Sequence, residues 1–144
     1  MRIAAEVVID VHIDELFEFV ADPLNDPRWC PKVLDVQQVE GDEPGLGAEY
    51  SVLHRPIPFR PPRRMRYECV EWDPPKRIVW HEDDGHDVLE VVYRLDPVWT
   101  STRFTQVDTA QLGAPRLLHP LVKAGIRRDL HRQLRLLKRA LERG

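Results

Sequence analysis

The chain has 144 residues, 42% of them apolar and 31% charged, with a formal net charge of −3. That size suits one domain with a single core, taken as residues 1–144. The negative balance leaves no global basic field, so no nucleic-acid partner is expected. No apolar run approaches the ~18–20 residues needed to span a bilayer.

The chain opens on a strand, with Ile3, Ala5, Val7 and Ile9 alternating with Arg2, Ala4, Glu6 and Val8. Apolar residues at Ile13, Leu16, Phe17 and Val20 then predict a short helix within 11–21, with acids in its first turn and Asp22-Pro23 as its stop. A second helical turn is expected over 25–29, ending before Pro31. Strands follow over 33–40, 48–55, 64–72, 77–82, 88–96 and 100–108. Between them lie turn clusters at Gly41-Asp42-Glu43-Pro44-Gly45, Asp73-Pro74-Pro75 and Asp83-Asp84-Gly85-His86. The proline-rich stretch 56–62 cannot form a central strand and reads as a stiff loop. Short turns between successive strands imply an antiparallel meander with one apolar face.

From Ala114 to Gly144 the pattern turns helical. Ile126, Leu130, Leu134, Leu137 and Leu141 fall within an arc of about 80° at roughly 100° per residue. Arg127, Arg128, Arg132, Arg135, Lys138, Arg139 and Arg143 occupy the rest. This is an amphipathic helix whose stripe needs a partner, and the sheet is the surface it has. Leu117, Leu118, Leu121 and Val122 point to a different side. With Pro120 and Gly125 nearby, a bend or break is expected near Ala124–Gly125.

Taken in order, several stretches resemble a known superfamily. They are Val8-Ile9-Asp10 leading into Glu15-Leu16-Phe17-Glu18-Phe19-Val20-Ala21-Asp22-Pro23, then Asn25-Asp26-Pro27-Arg28-Trp29 and Pro31. Next come Tyr67-Glu68-Cys69-Val70-Glu71-Trp72-Asp73-Pro74-Pro75-Lys76-Arg77, Tyr93-Arg94-Leu95-Asp96-Pro97, Thr102 with Phe104-Thr105, and the closing Leu136-Leu137-Lys138-Arg139-Ala140-Leu141-Glu142. The set resembles the SRPBCC, or START-like, superfamily. START-type lipid-transfer domains, the major birch-pollen allergen and bacterial polyketide cyclase/dehydrase-like proteins share its fold. The resemblance implies an α+β helix-grip fold, in which a curved antiparallel sheet of about seven strands wraps the C-terminal helix. It also implies a cavity between sheet and helix. It carries no universal catalytic motif, so no catalytic residue is transferred, and no cofactor is implied.

The sheet's apolar face is rich in groups with polar ends: Tyr50, His54, Tyr67, Trp80 and Tyr93, with Trp29 at the mouth. A core built only for packing would favour Leu, Ile and Val. Rings with polar tips suit an apolar pocket that orients its guest by a few hydrogen bonds, although they can equally fill a core. The candidate lining is therefore Trp29, Tyr50, His54, Met65, Tyr67, Trp80, Val91, Tyr93, Phe104, Leu118 and Val122.

Three functions compete. The first is binding of a hydrophobic, aromatic or polycyclic, small molecule. The second is an aromatase/cyclase or dehydratase acting through Tyr50, His54 or Tyr67. The third is an interaction module using the basic helix face. Arg55, Arg60, Arg63, Arg64 and Arg66 around the proline loop are either a solvated rim or a cationic lip for an anionic head group. His81 and His86 flank a hairpin tip and read as solvated; no metal is expected. Cys30 and Cys69 lack metal or disulfide spacing, and the N-terminus lacks a signal-peptide core, which suits the cytoplasm. Exposed edge strands could pair two copies as a homodimer.

Overall fold

The computed structural model describes residues 1–143; Gly144, the last residue of the expected domain and helical stretch, lies outside the described residues. Seven strands form one antiparallel sheet: β1 (Arg2–Ile9), β2 (Val33–Glu40), β3 (Glu49–His54), β4 (Arg63–Asp73), β5 (Arg77–Asp83), β6 (Val88–Val98) and β7 (Ser101–Gln111). Their order is β1-β7-β6-β5-β4-β3-β2. β1 and β2, consecutive in the chain, are thus the two edges of the sheet. The segment between them must cross its whole width, and it does so as helix α1 (Ile13–Val20) and a 3-10 turn (Pro23–Arg28). From β2 to β7 every connection is a hairpin, as the short turn clusters imply.

Local chemistry explains the crossing. The His12 ring accepts the Asp14 N–H at 3.2 Å and caps α1, while Asp22 accepts from Leu24 at 3.0 Å and starts the 3-10 turn. Pro23 stands at the first position of that turn, where its missing N–H is harmless. Register slips at Val33/Asp35, Gln38/Glu40 and Cys69/Glu71 are bulges, which bend strands and curve a sheet. β7 runs further than expected, gaining Thr109, Ala110 and Gln111 by pairing with Glu90, Leu89 and Val88. At the other end β6 runs further too, because Pro97 pairs with Thr102 beyond Arg94, which faces the first residue of β5. A residue without an N–H is tolerated there, since no strand lies on that side to receive it.

The last helix, α2, runs unbroken from His119 to Glu142. The break expected near Ala124–Gly125 is not there. The discontinuity comes earlier, as a 3-10 turn over Arg116–Leu118, and Pro120 falls in the first helical turn where no intrahelical N–H is needed. Leu117, Leu118 and Leu121 force no reorientation because they stay in water, at 93%, 48% and 74% exposure. The stripe of Leu130, Leu134, Leu137 and Leu141 is buried as the spacing predicts. Each such leucine contributes about 1.5–3 kcal/mol by leaving water. Polar ties complete the clasp: Lys138 donates to the Val8 carbonyl at 2.8 Å, and the Asp10 N–H donates to Glu142 at 2.9 Å. Among the described residues no helix is long and apolar enough to cross a membrane.

Candidate functional site

Alternation along the central strands decides what the concave face carries. β4 turns in Met65, Tyr67 and Cys69; β5 turns in Ile78, Trp80 and Glu82; β6 turns in Val91, Tyr93 and Leu95; β7 turns in Thr102, Phe104, Gln106, Asp108 and Ala110. Across the sheet Tyr50 faces Tyr67, Tyr67 faces Glu82, and Trp80, Val91 and Asp108 form a row. The crossing 3-10 turn lays Asp26 and Trp29 over the same face, both almost wholly buried at 4% and 1% exposure.

The rings form one connected cluster. Trp29 stands 6.0 Å from Tyr93 and 6.1 Å from Phe104, Tyr93 stands 5.1 Å from Phe104, and Trp80 lies 6.0–6.5 Å from Tyr50, Tyr67 and Tyr93, centroid to centroid. These are ordinary tilted and edge-on contacts, so the rings occupy the concave face between them. A hollow of about 360 Å³ lies elsewhere, along the basic side of α2 beside Arg135, Lys138, Arg139, Glu142 and Arg143.

The polar ends of this cluster are not matched inside the protein. Of six side-chain atoms buried with no hydrogen-bond partner among the described residues, five lie here, Asp26 Oδ1, Trp29 Nε1, Tyr50 Oη, Trp80 Nε1 and Gln106 Oε1, and the sixth is Thr105 Oγ1. Buried polar atoms are nearly always satisfied, and an unmade bond costs about 1–3 kcal/mol each. Five on one face give a bound guest or buried water several polar groups to meet.

Three carboxyls join them. Burial, reinforced by Asp108 and then Asp26, pushes Glu82 well above the usual carboxylate range. Burial, with Asp22 adding repulsion, does the same to Asp26; the Trp29 indole lies against that carboxyl and eases it slightly without reaching hydrogen-bond geometry. Asp108 is pushed up by burial to about 6, restrained by the Gln106 amide that donates to it at 3.0 Å. Burial, aided by Asp26, Glu82 and Asp108, also raises the Cys30 thiol. Tyr67 and Tyr93 are pushed up in the same way, so both phenols keep their protons. Among the described residues, no three His, Cys, Asp or Glu side chains are grouped so as to hold a metal ion.

Of the expected lining residues, Trp29, Tyr50, Met65, Tyr67, Trp80, Val91, Tyr93 and Phe104 are buried together in the core. Three stand apart. His54 ends β3 at the rim, half-buried between the Lys32–Asp129 and Arg63–Asp84 ion pairs. Burial, with Lys32 next, lowers it to about 4, so it is neutral at pH 7 and offers no acidic proton. Leu118 is half exposed, and Val122 is partly exposed on the first turns of α2. Asp26, Glu82, Gln106 and Asp108 were missed. For three of them the signal was present: Trp80 and Phe104 fix the inward parity, and Glu82, Gln106 and Asp108 continue it. Asp26 lies in a 3-10 turn with no alternation to betray its direction.

The rim lies at one end of the sheet, where β3, β5 and β7 end and β4 and β6 begin. Its loops are tied together. Arg63 pairs with Asp84 at 3.6 Å, and the Gly113 N–H donates to Asp87 at 2.7 Å. Lys32 pairs with Asp129 of α2. The apolar side chains of Ile57, Phe59, Leu117, Leu118 and Leu121 stand exposed on loops and helix at this end.

Residues 1–142 match the family described as "Polyketide cyclase / dehydrase and lipid transport". No curated protein sequence matches the chain. Several solved structures share the fold. A START superfamily protein from Mycobacterium smegmatis superposes with a TM-score of 0.80 at 15% identity, covering 99% of this chain and 97% of that one. TTHA0849 from Thermus thermophilus gives 0.78 at 18% identity, covering 96% and 95%. The di-domain ARO/CYC protein BexL, from the BE-7585A biosynthetic pathway, gives 0.75 at 19% identity, with 99% of this chain covering 46% of that one. These likenesses establish the helix-grip architecture.

Proposed function

We propose, from the premise that the chain belongs to the polyketide cyclase / dehydrase and lipid transport family, that it binds a hydrophobic small molecule with aromatic character. The ligand would lodge on the concave face under α2, the whole chain acting as one binding domain in the cytoplasm. The observation that carries this is the set of five buried polar atoms without partners, all on the ring-lined face. A guest with an apolar body and a few polar groups would satisfy them while keeping the rings out of water. Because the rings touch one another, binding requires them to part, and the exposed start of α2 is the part of the lid least held down. The test is native mass spectrometry of protein purified from its own host, with a titration of aromatic probes followed by Trp29 and Trp80 fluorescence. Retained mass or saturable quenching supports the reading. A protein that retains nothing and responds to no ring-bearing probe would sink it.

A second reading, turnover of the bound molecule, is favoured by one observation. Asp108, at about 6, gains and loses a proton near neutral pH inside an apolar site. If a reaction is found, Asp108→Asn should lose turnover while an uncharged aromatic probe such as naphthylethanol still binds within a few-fold. Turnover surviving in that variant excludes Asp108 as the proton carrier.

A further inference from the structure

The concave face is unbalanced in charge type. Asp26, Glu82 and Asp108 are 4%, 9% and 8% exposed, whereas no Lys, Arg or His side chain is buried among the described residues. The rim cations Lys32 and Arg63 are already paired with Asp129 and Asp84. Among the described residues the one hydrogen bond received by these three carboxyls comes from Gln106 to Asp108. A buried carboxyl without a cation is costly, and a surface selected only for packing would not keep three.

Register places two of them around one spot. Asp108 on β7 lies in the row Trp80–Val91–Asp108, and Glu82 on β5 lies one inward step beyond Trp80, beside Tyr67. Asp108 stands opposite Val91 of β6 and Glu82 opposite Leu89, one inward step along, so the two carboxyls lie diagonally across β6, near enough for Asp108 to act on Glu82 through its charge, with the Trp80 ring in the Asp108 row.

Resting on the ligand-binding reading above, we infer that the ligand's polar end is a protonated amine seated between Glu82 and Asp108, its apolar body lying against Trp80 and Tyr93. An ammonium brings three donors to carboxyls that lack them, and it supplies the charge the face lacks. Aromatic faces add a second attraction for the same cation. Three acidic side chains with no buried Lys, Arg or His beside them make the same spot a poor host for carboxylates and phosphates. A neutral alcohol would supply a hydrogen bond but no charge.

The test uses three probes with one ring system: naphthylethylamine, naphthylethanol and naphthylacetate, titrated into the whole protein at neutral pH by calorimetry. The amine should bind at least about tenfold tighter than the alcohol, with the acetate weakest. In Glu82→Gln and Asp108→Asn, both checked for folding by circular dichroism, the amine-to-alcohol affinity ratio should fall toward one. Alcohol or acetate binding as tightly as the amine overturns the inference while leaving the binding site in place. So does an amine preference that survives both substitutions together. Failure of all three probes to bind removes the binding site itself, and this inference with it.

Discussion

The Gln106 side-chain amide donates to Asp108 at 3.0 Å inside the core, and its own carbonyl oxygen is left without a partner. The pair therefore satisfies one acceptor and orphans another on the same face. A packed interior has no use for that arrangement.

Asp108 should make stability depend on pH in a definite direction. Its folded value of about 6 lies above the usual 3.8, so the folded protein holds this proton more tightly than the unfolded chain. The resulting stabilisation is complete below pH 4 and disappears as pH rises through 6. The stability of Asp108→Asn relative to the parent protein should therefore rise by on the order of 2–3 kcal/mol as pH goes from 4 to 7. Glu82 on β5, and Asp26 and Cys30 from the crossing segment, face the same spot and extend the trend upward. His54, lowered to about 4, acts oppositely but is common to both proteins and cancels in the difference. Denaturant melts of the two proteins across this range are the check; a difference that does not change with pH contradicts the assignment.

Glu82→Met should raise stability at pH 7 by about 1–3 kcal/mol, because it replaces an uncompensated buried carboxyl with an apolar chain of similar length. The same variant should bind an aromatic amine less well. Urea unfolding midpoints decide the matter, and a destabilised variant would show that the carboxyl is held by contacts that favour the fold.

Two leucines of one helix should behave differently. Leu137 is fully buried in the stripe, and Leu137→Ala should cost about 2–5 kcal/mol. Leu121 is 74% exposed, and Leu121→Ala should change stability by no more than about 0.5 kcal/mol. Thermal melts of the two variants side by side test this. Equal losses would mean that the start of α2 is covered in solution.

Trp99 turns the hairpin between β6 and β7 with φ at 56°, and its side chain is 98% exposed. A bulky side chain in the left-handed region carries about 1–2 kcal/mol of strain, and a glycine there carries none. Allowing for the extra freedom glycine gives the unfolded chain, Trp99→Gly should stabilise by about 0.5–1 kcal/mol. A loss on chemical denaturation would indicate that the ring makes a favourable contact in solution.

Much of this architecture could be read before any coordinates, because it depends on periods. The two-residue alternation through Tyr67, Trp80, Tyr93 and Phe104 set which side chains share a face, and the steps from Ile126 to Leu141 set which side of the last helix is buried. Burial follows from such local repeats since one face of each element must leave water. The expected break near Gly125 failed for a related reason: a second apolar side was assumed to need a partner, but Leu117 and Leu121 remain in solvent.

The site's polar content depended on the third dimension. Glu82 and Asp108 are 26 positions apart in sequence and look like solvated strand ends until β6 pairs with both neighbours and the fold buries them. Asp26 becomes part of the same neighbourhood only because β1 and β2 take opposite edges and the crossing segment has to pass over the concave face. A carboxyl's ionisation is governed by its distance from water and from other charges, and those distances exist only once the chain has folded.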